Sequence, residues 1–468
     1  MTNNQPQKPR ILLFNPPGDE VYIRDYYCSK VSKTDYLYHP TDLLYISGRL
    51  KENFTVDVID AIAERFDETR CLQLIKEKDY LAIVFLTGAV SWMNDRVFLK
   101  KVKEETKSLL IGSGDIFMDP TGQILKEYPF LDAIILDFFD PSVASFLAGQ
   151  RQGLTNIFYR NGNNEIVGNC ERRTGYFEVP MPLFHLFPNR KYKYPFARKR
   201  AFATVLTDYG CPYKCRFCIM NTLGFRQRTV DNVIEELRAY RNAGVREIYF
   251  TDQTFGASKK RLFEVCHKMI ALKLKLNWLC FSRVDLIDAE TLSLMKKAGC
   301  HTILFGVETA TQEILDRYRK GITLNQIEKA FQLCQAMGIR TVGTFILGLP
   351  GETEKSCQDT IKFALRLKCD YASFNVPVPR VGTSFRAEAI QQGWTSEKLE
   401  PMCQAYTYPV LGTDSLPREK IWRLRNKAIS EFYLRPSYIL RHFFRIRNYF
   451  QLETHLRGFY FMIRGMFK

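Results

Sequence analysis

Three cysteines crowd one short stretch of this sequence, Tyr209-Gly210-Cys211-Pro212-Tyr213-Lys214-Cys215-Arg216-Phe217-Cys218. Thiolates spaced C-x3-C-x2-C on one loop can converge on three corners of an iron–sulfur cubane, because cysteine thiolates are the usual ligands of such clusters. The fourth iron then keeps an open coordination position, the feature that separates a catalytic metal centre from a closed structural one. A zinc site is the rival reading and asks for a fourth Cys or His close by. His185 and Cys170 are the nearest, and both precede the strand that leads into the loop. The remaining cysteines are scattered singly and read as small buried hydrophobes of a reducing compartment.

A loop of this kind needs a rigid element on each side. Phe202 to Leu206, Glu247 to Phe250, Asn277 to Phe281, Thr302 to Phe305, Thr341 to Leu347 and Tyr371 to Val376 read as six strands with helical patterns between them. Three of the helices run into Ala243-Gly244, Ala298-Gly299 and Met337-Gly338, glycines placed to take the left-handed conformation that ends a helix. Six strand–helix units imply an open, partial (βα)6 barrel, with its chemistry at the carboxyl ends of the strands. The cysteine loop follows the first strand. Asp252 ends the second, Ser282 and Arg283 the third and Glu308 the fourth, while Gly343 to Glu352 carries the fifth through Gly348.

Upstream, short apolar runs alternate with amphipathic stretches over residues 11–148. Ile11 to Phe14 leads into Asn15-Pro16-Pro17-Gly18, Leu81 to Leu86 into Thr87-Gly88, and Leu109 to Ile111 into Gly112-Ser113-Gly114. This rhythm predicts a doubly wound (Rossmann-like) parallel sheet, whose ligands sit where small residues end the strands. The fold class is therefore α/β. The expected domains are the sheet at residues 1–150, a connector at 151–200, the barrel at 201–400 and a basic, aromatic helical region at 401–468.

The cysteine spacing, with the aromatic Phe217 just before the third cysteine, resembles the signature of the radical S-adenosylmethionine superfamily over about residues 200–385. The resemblance implies that Cys211, Cys215 and Cys218 bind a [4Fe–4S] cluster and that S-adenosylmethionine chelates its fourth iron. Reductive cleavage of the sulfonium then yields a 5′-deoxyadenosyl radical, the electron coming from a donor such as flavodoxin or ferredoxin. It further implies that Glu308 contacts the ribose or amino group, Arg283 the carboxylate and the Gly348 region the adenine, with Asp252, Ser282 and Phe217 in the same pocket.

A sheet domain ahead of such a barrel, opening on Phe14-Asn15-Pro16-Pro17-Gly18, resembles the cobalamin-binding branch. No D-x-H-x-x-G turn supplies a cobalt ligand, and His39 reads as structural. In that branch cobalamin binds without a histidine as well, and its nucleotide tail would thread past Gly88, Gly112 and Gly114. A vestigial sheet that only shapes the substrate pocket is the alternative.

The 468 residues carry 67 Lys/Arg against 50 Asp/Glu, a net charge of +17. From Arg418 to Lys468 there are 12 Lys/Arg and 3 Asp/Glu, so over half of the excess is local. Tyr438, Arg441, Arg445 and Tyr449 among Phe443, Phe444, Ile446 and Phe450 suit an interfacial helix on an anionic membrane, with packing on the barrel and RNA contact as the other readings. The high apolar content argues against nucleic acid. No run is long enough to span a bilayer and the first ten residues lack a signal-peptide core, so a cytoplasmic protein, peripheral on the membrane, is expected.

These features together predict a radical enzyme acting on an unactivated carbon of a hydrophobic, lipid-like molecule, methylating it through cobalamin. A cobalamin-independent cyclase, rearrangement enzyme or oxidoreductase, an RNA-modifying enzyme and a non-enzymatic iron–sulfur sensor are the rivals.

Overall fold

Runs such as Ala82-Ile83-Val84-Phe85-Leu86, apolar without alternation, need cover on both faces, which a parallel sheet flanked by crossover helices provides. The computed structural model describes residues 8–26, 29–396, 402–403, 408–444, 452–453 and 456–460. The chain divides into two compact units: Met1–Val31, Leu37–Arg172 and Val179–Tyr192 form one, and Ser32–Tyr36, Arg173–Glu178 and Lys193–Lys468 the other.

The first unit holds a seven-stranded sheet. Its strands are β1 (Arg10–Asn15), β2 (Thr55–Asp60), β3 (Ala82–Leu86), β4 (Leu109–Ser113), β5 (Ala133–Ile135), β6 (Ile157–Arg160) and β7 (Ile166–Gly168), in the order β2-β1-β3-β4-β5-β6-β7. The first five are parallel, as the sequence rhythm requires. The chain reverses its direction of travel at β1, which opens a crevice between the ends of β1 and β3. The expected connector at 151–200 is in part sheet: β6 and β7 form an antiparallel hairpin on the β5 edge. Asn161-Gly162-Asn163-Asn164, with Asn164 at a φ of 62°, makes the turn that the βα rhythm hid.

The second unit carries β8 (Ala203–Val205), β9 (Glu247–Phe250), β10 (Asn277–Ser282), β11 (Cys300–Glu308), β12 (Arg340–Ile346) and β13 (Tyr371–Asn375), all parallel and in sequential order. These are the six strands expected from the sequence. Residues 193–198, also assigned to the connector, pack on this unit instead. Tyr194 stacks on Tyr249 at 4.3 Å, Phe196 meets Tyr371 at 5.0 Å, and the Arg198 N–H donates to Glu247 Oε1 at 2.8 Å.

The carboxyl-terminal region is no separate domain over its described part. The helix Arg418–Tyr433 lies on β13 and on the helix Glu354–Arg366. The following helix, Pro436–Phe443, is anchored by Tyr438 and His442, whose side chains bond the Asp370 carbonyl, and by Arg441, which donates to the carbonyls of Lys368 and Cys369. Packing on the barrel therefore accounts for Tyr438 and Arg441. Arg445, Ile446, Tyr449, Phe450 and the last eight residues lie outside the described residues.

Candidate iron–sulfur and cofactor site

The cysteine loop is clamped at its base. Asp208–Gly210 runs antiparallel to Phe225–Arg228, which pairs in parallel with Gly175–Phe177. Gly210 has a φ of 76°, and a Cβ there would stand 1.7 Å from the Gly224 carbonyl oxygen, so only glycine lets the two ends of the loop meet. Inside the loop Asn221 Nδ2 donates to the carbonyls of Cys215 at 2.7 Å and Cys218 at 2.9 Å. The Arg216 N–H donates to the Tyr318 carbonyl at 3.0 Å, and Phe217 packs on the apolar cluster of Tyr318, Leu349 and Phe385.

Cys215 is buried, while Cys211 and Cys218 are half-buried. Burial pushes the Cys215 thiol up, against the pull of Lys320 and Arg283. Cys211 Sγ lies 3.5 Å from Thr254 Oγ1. Among the described residues no three His, Cys, Asp or Glu side chains converge on a single ion. A cubane takes each thiolate on a different iron, so three thiols spaced along one clamped loop can serve as its ligands. The donor set fits the cluster.

Glu308 stands at the end of β11, where pairing with β12 slips between Gly306 and Glu308. The slip leaves Glu308 at a φ of 68°, a strained value for this residue, and bulges of this kind re-aim side chains beside active sites. Its carboxylate pairs with Lys320 at 2.5 Å. Arg283 pairs with Asp285 at 3.0 Å, donates to the Gly321 carbonyl, and lies 3.6 Å from the centre of the Tyr213 ring in the cysteine loop. Arg283 thus lies against the cysteine loop, and Glu308 pairs with Lys320 in the segment whose Tyr318 carbonyl accepts the Arg216 N–H. Lys320, Tyr213 and Thr254 join them unforeseen, and the only signal for Lys320 was the cationic run Arg317-Tyr318-Arg319-Lys320 after a short helix.

Three other expectations change. Asp252 is fully buried and its Oδ1 accepts the backbone N–H groups of Thr207 and Asp208, so it fixes the strand end that launches the loop. Burial and the neighbouring Asp208 raise its carboxyl to about 7. Ser282 donates to the Phe255 carbonyl at 3.0 Å, a bond to the loop that follows the neighbouring strand β9. Gly348 turns toward the helix Arg418–Tyr433, where a Cβ would meet Ile421 at 2.7 Å, and its N–H donates to Glu352. Beneath the loop, the buried ion pairs Arg261–Asp208 at 2.9 Å and Arg228–Glu236 at 2.5 Å went unforeseen, since sequence alone does not tell an inward arginine from an outward one.

Residues 205–364 match the family model of the radical SAM superfamily. An uncharacterized methyltransferase of Pyrococcus horikoshii is 31% identical over 96% of this chain and 97% of its own length. The chain belongs to the radical SAM superfamily. A [4Fe–4S] cluster and S-adenosylmethionine are the cofactors that membership brings, and the protein is a radical SAM enzyme. Among the radical SAM relatives with solved structures is the methyltransferase TsrM of Kitasatospora setae, determined with cobalamin and a [4Fe–4S] cluster bound. It has a TM-score of 0.66 at 17% identity, covers 83% of this chain and 79% of TsrM, and shares the fold. The anaerobic magnesium-protoporphyrin IX monomethyl ester cyclase of Rubrivivax gelatinosus is 27% identical over 73% of this chain and 64% of its own length.

In this radical SAM chain the amino-terminal glycines have packing reasons of their own. A Cβ on Gly88 would fall 2.3 Å from Ser29 Cβ, on Gly112 2.4 Å from the Phe117 ring, and on Gly114 1.9 Å from the Thr87 carbonyl oxygen. The space where a side chain would stand is filled by the protein at each of the three, which is why each must be glycine. The crevice between β1 and β3 is floored by buried Arg24, which pairs with Asp95 at 2.5 Å and donates to Asn15 Oδ1 and the Pro16 carbonyl. His39 is buried, bonds Asn189 at 2.8 Å and packs tilted against Tyr192 at 4.2 Å, so it is structural as expected. Burial drives its pKa down to about 4.

Proposed function

We propose that this enzyme is a radical SAM C-methyltransferase in which Cys211, Cys215 and Cys218 hold the cluster and the amino-terminal sheet carries cobalamin. The observation that carries the reading is end-to-end similarity to a relative named as a methyltransferase, sheet domain included. Cobalamin, when bound, supplies a methyl group that a substrate radical can accept. The residues of this chain do the positioning. The Arg283–Tyr213 stack and the Arg216–Tyr318 bond fix the loop, and Glu308, turned by its bulge, presents a carboxylate to the ribose or amine of S-adenosylmethionine. Asp252 keeps the loop's entry strand in register.

The substrate class we infer is a hydrophobic small molecule reached at a membrane surface, with a small one-electron carrier such as flavodoxin or ferredoxin as reductant. Ile439, Leu440 and Phe444 are exposed on and just after the last described long helix, and Phe444 is 73% exposed. Among the described residues no helix is long and apolar enough to cross a membrane, so this face suits docking from the cytoplasmic side rather than spanning.

The test is incubation of the reconstituted enzyme, with hydroxocobalamin and dithionite, with S-adenosylmethionine deuterated at its methyl group and a lipid extract. Transfer of the deuterated methyl to a lipid-soluble product supports the reading. Formation of 5′-deoxyadenosine with an unlabelled, cyclised or oxidised product overturns it in favour of the cyclase-like alternative, which similarity to the Rubrivivax cyclase favours.

A further inference from the structure

We propose that Lys320 is a positioning residue that sets the reduction potential of the cluster while it holds Glu308 in place. The inference rests on the cysteine ligands assigned above and is independent of methyl transfer.

Lys320 and Glu308 are 8% and 7% exposed, so their 2.5 Å pair is shielded from water and salt. The pair has been given room. Gly306 lies directly beside it, and a Cβ there would stand 2.4 Å from Glu308 Oε1 and 2.6 Å from Lys320 Nζ. The segment that carries Lys320 is held from two sides. Tyr318 accepts the Arg216 N–H of the cysteine loop at 3.0 Å, and Gly321 accepts Arg283 at 3.3 Å. The backbone on either side of Lys320 is thereby tied to Arg216, the residue that follows Cys215, and to Arg283, which stacks on Tyr213 of the loop. Burial works against its ammonium, but the Glu308 carboxylate bonded to it favours the charged form.

Reduction of a [4Fe–4S]2+ cluster to the 1+ state adds one electron and neither forms nor breaks a bond. A fixed buried cation near one ligand favours the added negative charge, and a fixed carboxylate opposes it, because charges act more strongly where water is excluded. Lys320 and Glu308 therefore pull the potential in opposite directions. Their separate removal should have opposite signs, which a merely structural pair would not produce.

The experiment uses the full chain, reconstituted with iron and sulfide and free of S-adenosylmethionine. Each variant is titrated with dithionite under electron paramagnetic resonance after iron content and cluster absorbance have been checked. At the potential where wild type is half reduced, Lys320→Met should lower the ratio of reduced to oxidised cluster about tenfold, a midpoint shift of roughly 59 mV for one electron. Glu308→Gln should raise that ratio, and Lys320→Arg should restore it to near wild type. Should Lys320→Met fail to retain iron, Lys320→Met combined with Glu308→Gln removes the stranded carboxylate, and Glu308→Gln alone still decides the sign. Iron-loaded variants with an unchanged midpoint, or single variants that both shift the same way, overturn the role of Lys320. A wild-type chain that takes up no iron overturns the ligand assignment itself.

Discussion

The two parallel sheets of this protein end their strands in different ways. In the first unit the ends of β3 and β4 are glycine-rich and closed by the chain's own atoms: Ser29 against Gly88, Phe117 against Gly112 and the Thr87 backbone against Gly114. In the barrel the corresponding ends carry Arg283 and Glu308 beside a three-thiol loop, and Glu308 is paired with buried Lys320 from the segment after the next helix. Small residues at a strand end have two causes, ligand approach and tight self-packing, and spacing cannot separate them. Charges held out of water beside thiols have few causes other than a ligand, since burying them is unfavourable unless something uses them. The barrel holds its buried charges beside thiols, whereas the buried Arg24–Asp95 pair of the first unit is bonded to the chain's own Asn15 and Pro16.

The most severe way to break this comparison is at the loop. Cys215→Ala should abolish the visible absorbance of the reconstituted cluster and the cleavage of S-adenosylmethionine, because two thiolates cannot hold the cubane. Product analysis by liquid chromatography checks it, and normal cleavage by the variant would sink the cluster assignment.

Glycines sharpen the contrast with smaller effects. Gly210→Ala meets a carbonyl at 1.7 Å with a φ of 76°, and Gly114→Ala meets one at 1.9 Å with a φ of 138°. Both should cost several kcal/mol of stability as a rough sum of strain and clash, read as a markedly lower urea midpoint. Only Gly210→Ala should also lose iron, since it opens the loop's base. Gly244→Ala has open space around it at a φ of 90° and should be destabilising by only about 1–2 kcal/mol. Equal iron loss in the Gly210 and Gly114 variants would erase the distinction between the two strand ends.

Much of this architecture was legible because it rests on periodicity. The five parallel strands of the first sheet and the six of the barrel follow from apolar runs bounded by turn residues, and Gly244, Gly299 and Gly338 do end their helices with positive φ. The edge hairpin β6–β7 was hidden because its strands are short and one is largely exposed. At the site, Cys211, Cys215 and Cys218 could be read from spacing alone, and Arg283 and Glu308 from their place at strand ends. Asp252 and Gly348 shared that place yet serve the backbone and the last long helix, since a strand end offers both an outward and an inward direction. Lys320 could not be read because its position depends on a β-bulge twelve residues earlier, which no local pattern announces.

The gentlest probe of the comparison is pH, where the two units differ in sign. His39 in the first unit is lowered from 6.5 to about 4 by burial, so the folded chain binds fewer protons than the unfolded one between those values. Its contribution to stability is present above pH 6.5 and is lost as pH falls toward 4. Asp252 in the barrel is raised from 3.8 to about 7 by burial and by Asp208, so the folded chain holds the extra proton and the contribution runs the other way. It is present below pH 4 and is lost as pH rises through 7. Urea midpoints of wild type, His39→Gln and Asp252→Asn, measured between pH 4.5 and 7, should therefore diverge. The gap between wild type and His39→Gln should grow with pH, while that between wild type and Asp252→Asn should shrink. A gap between wild type and Asp252→Asn that does not shrink would mean that Asp252 is not buried as described.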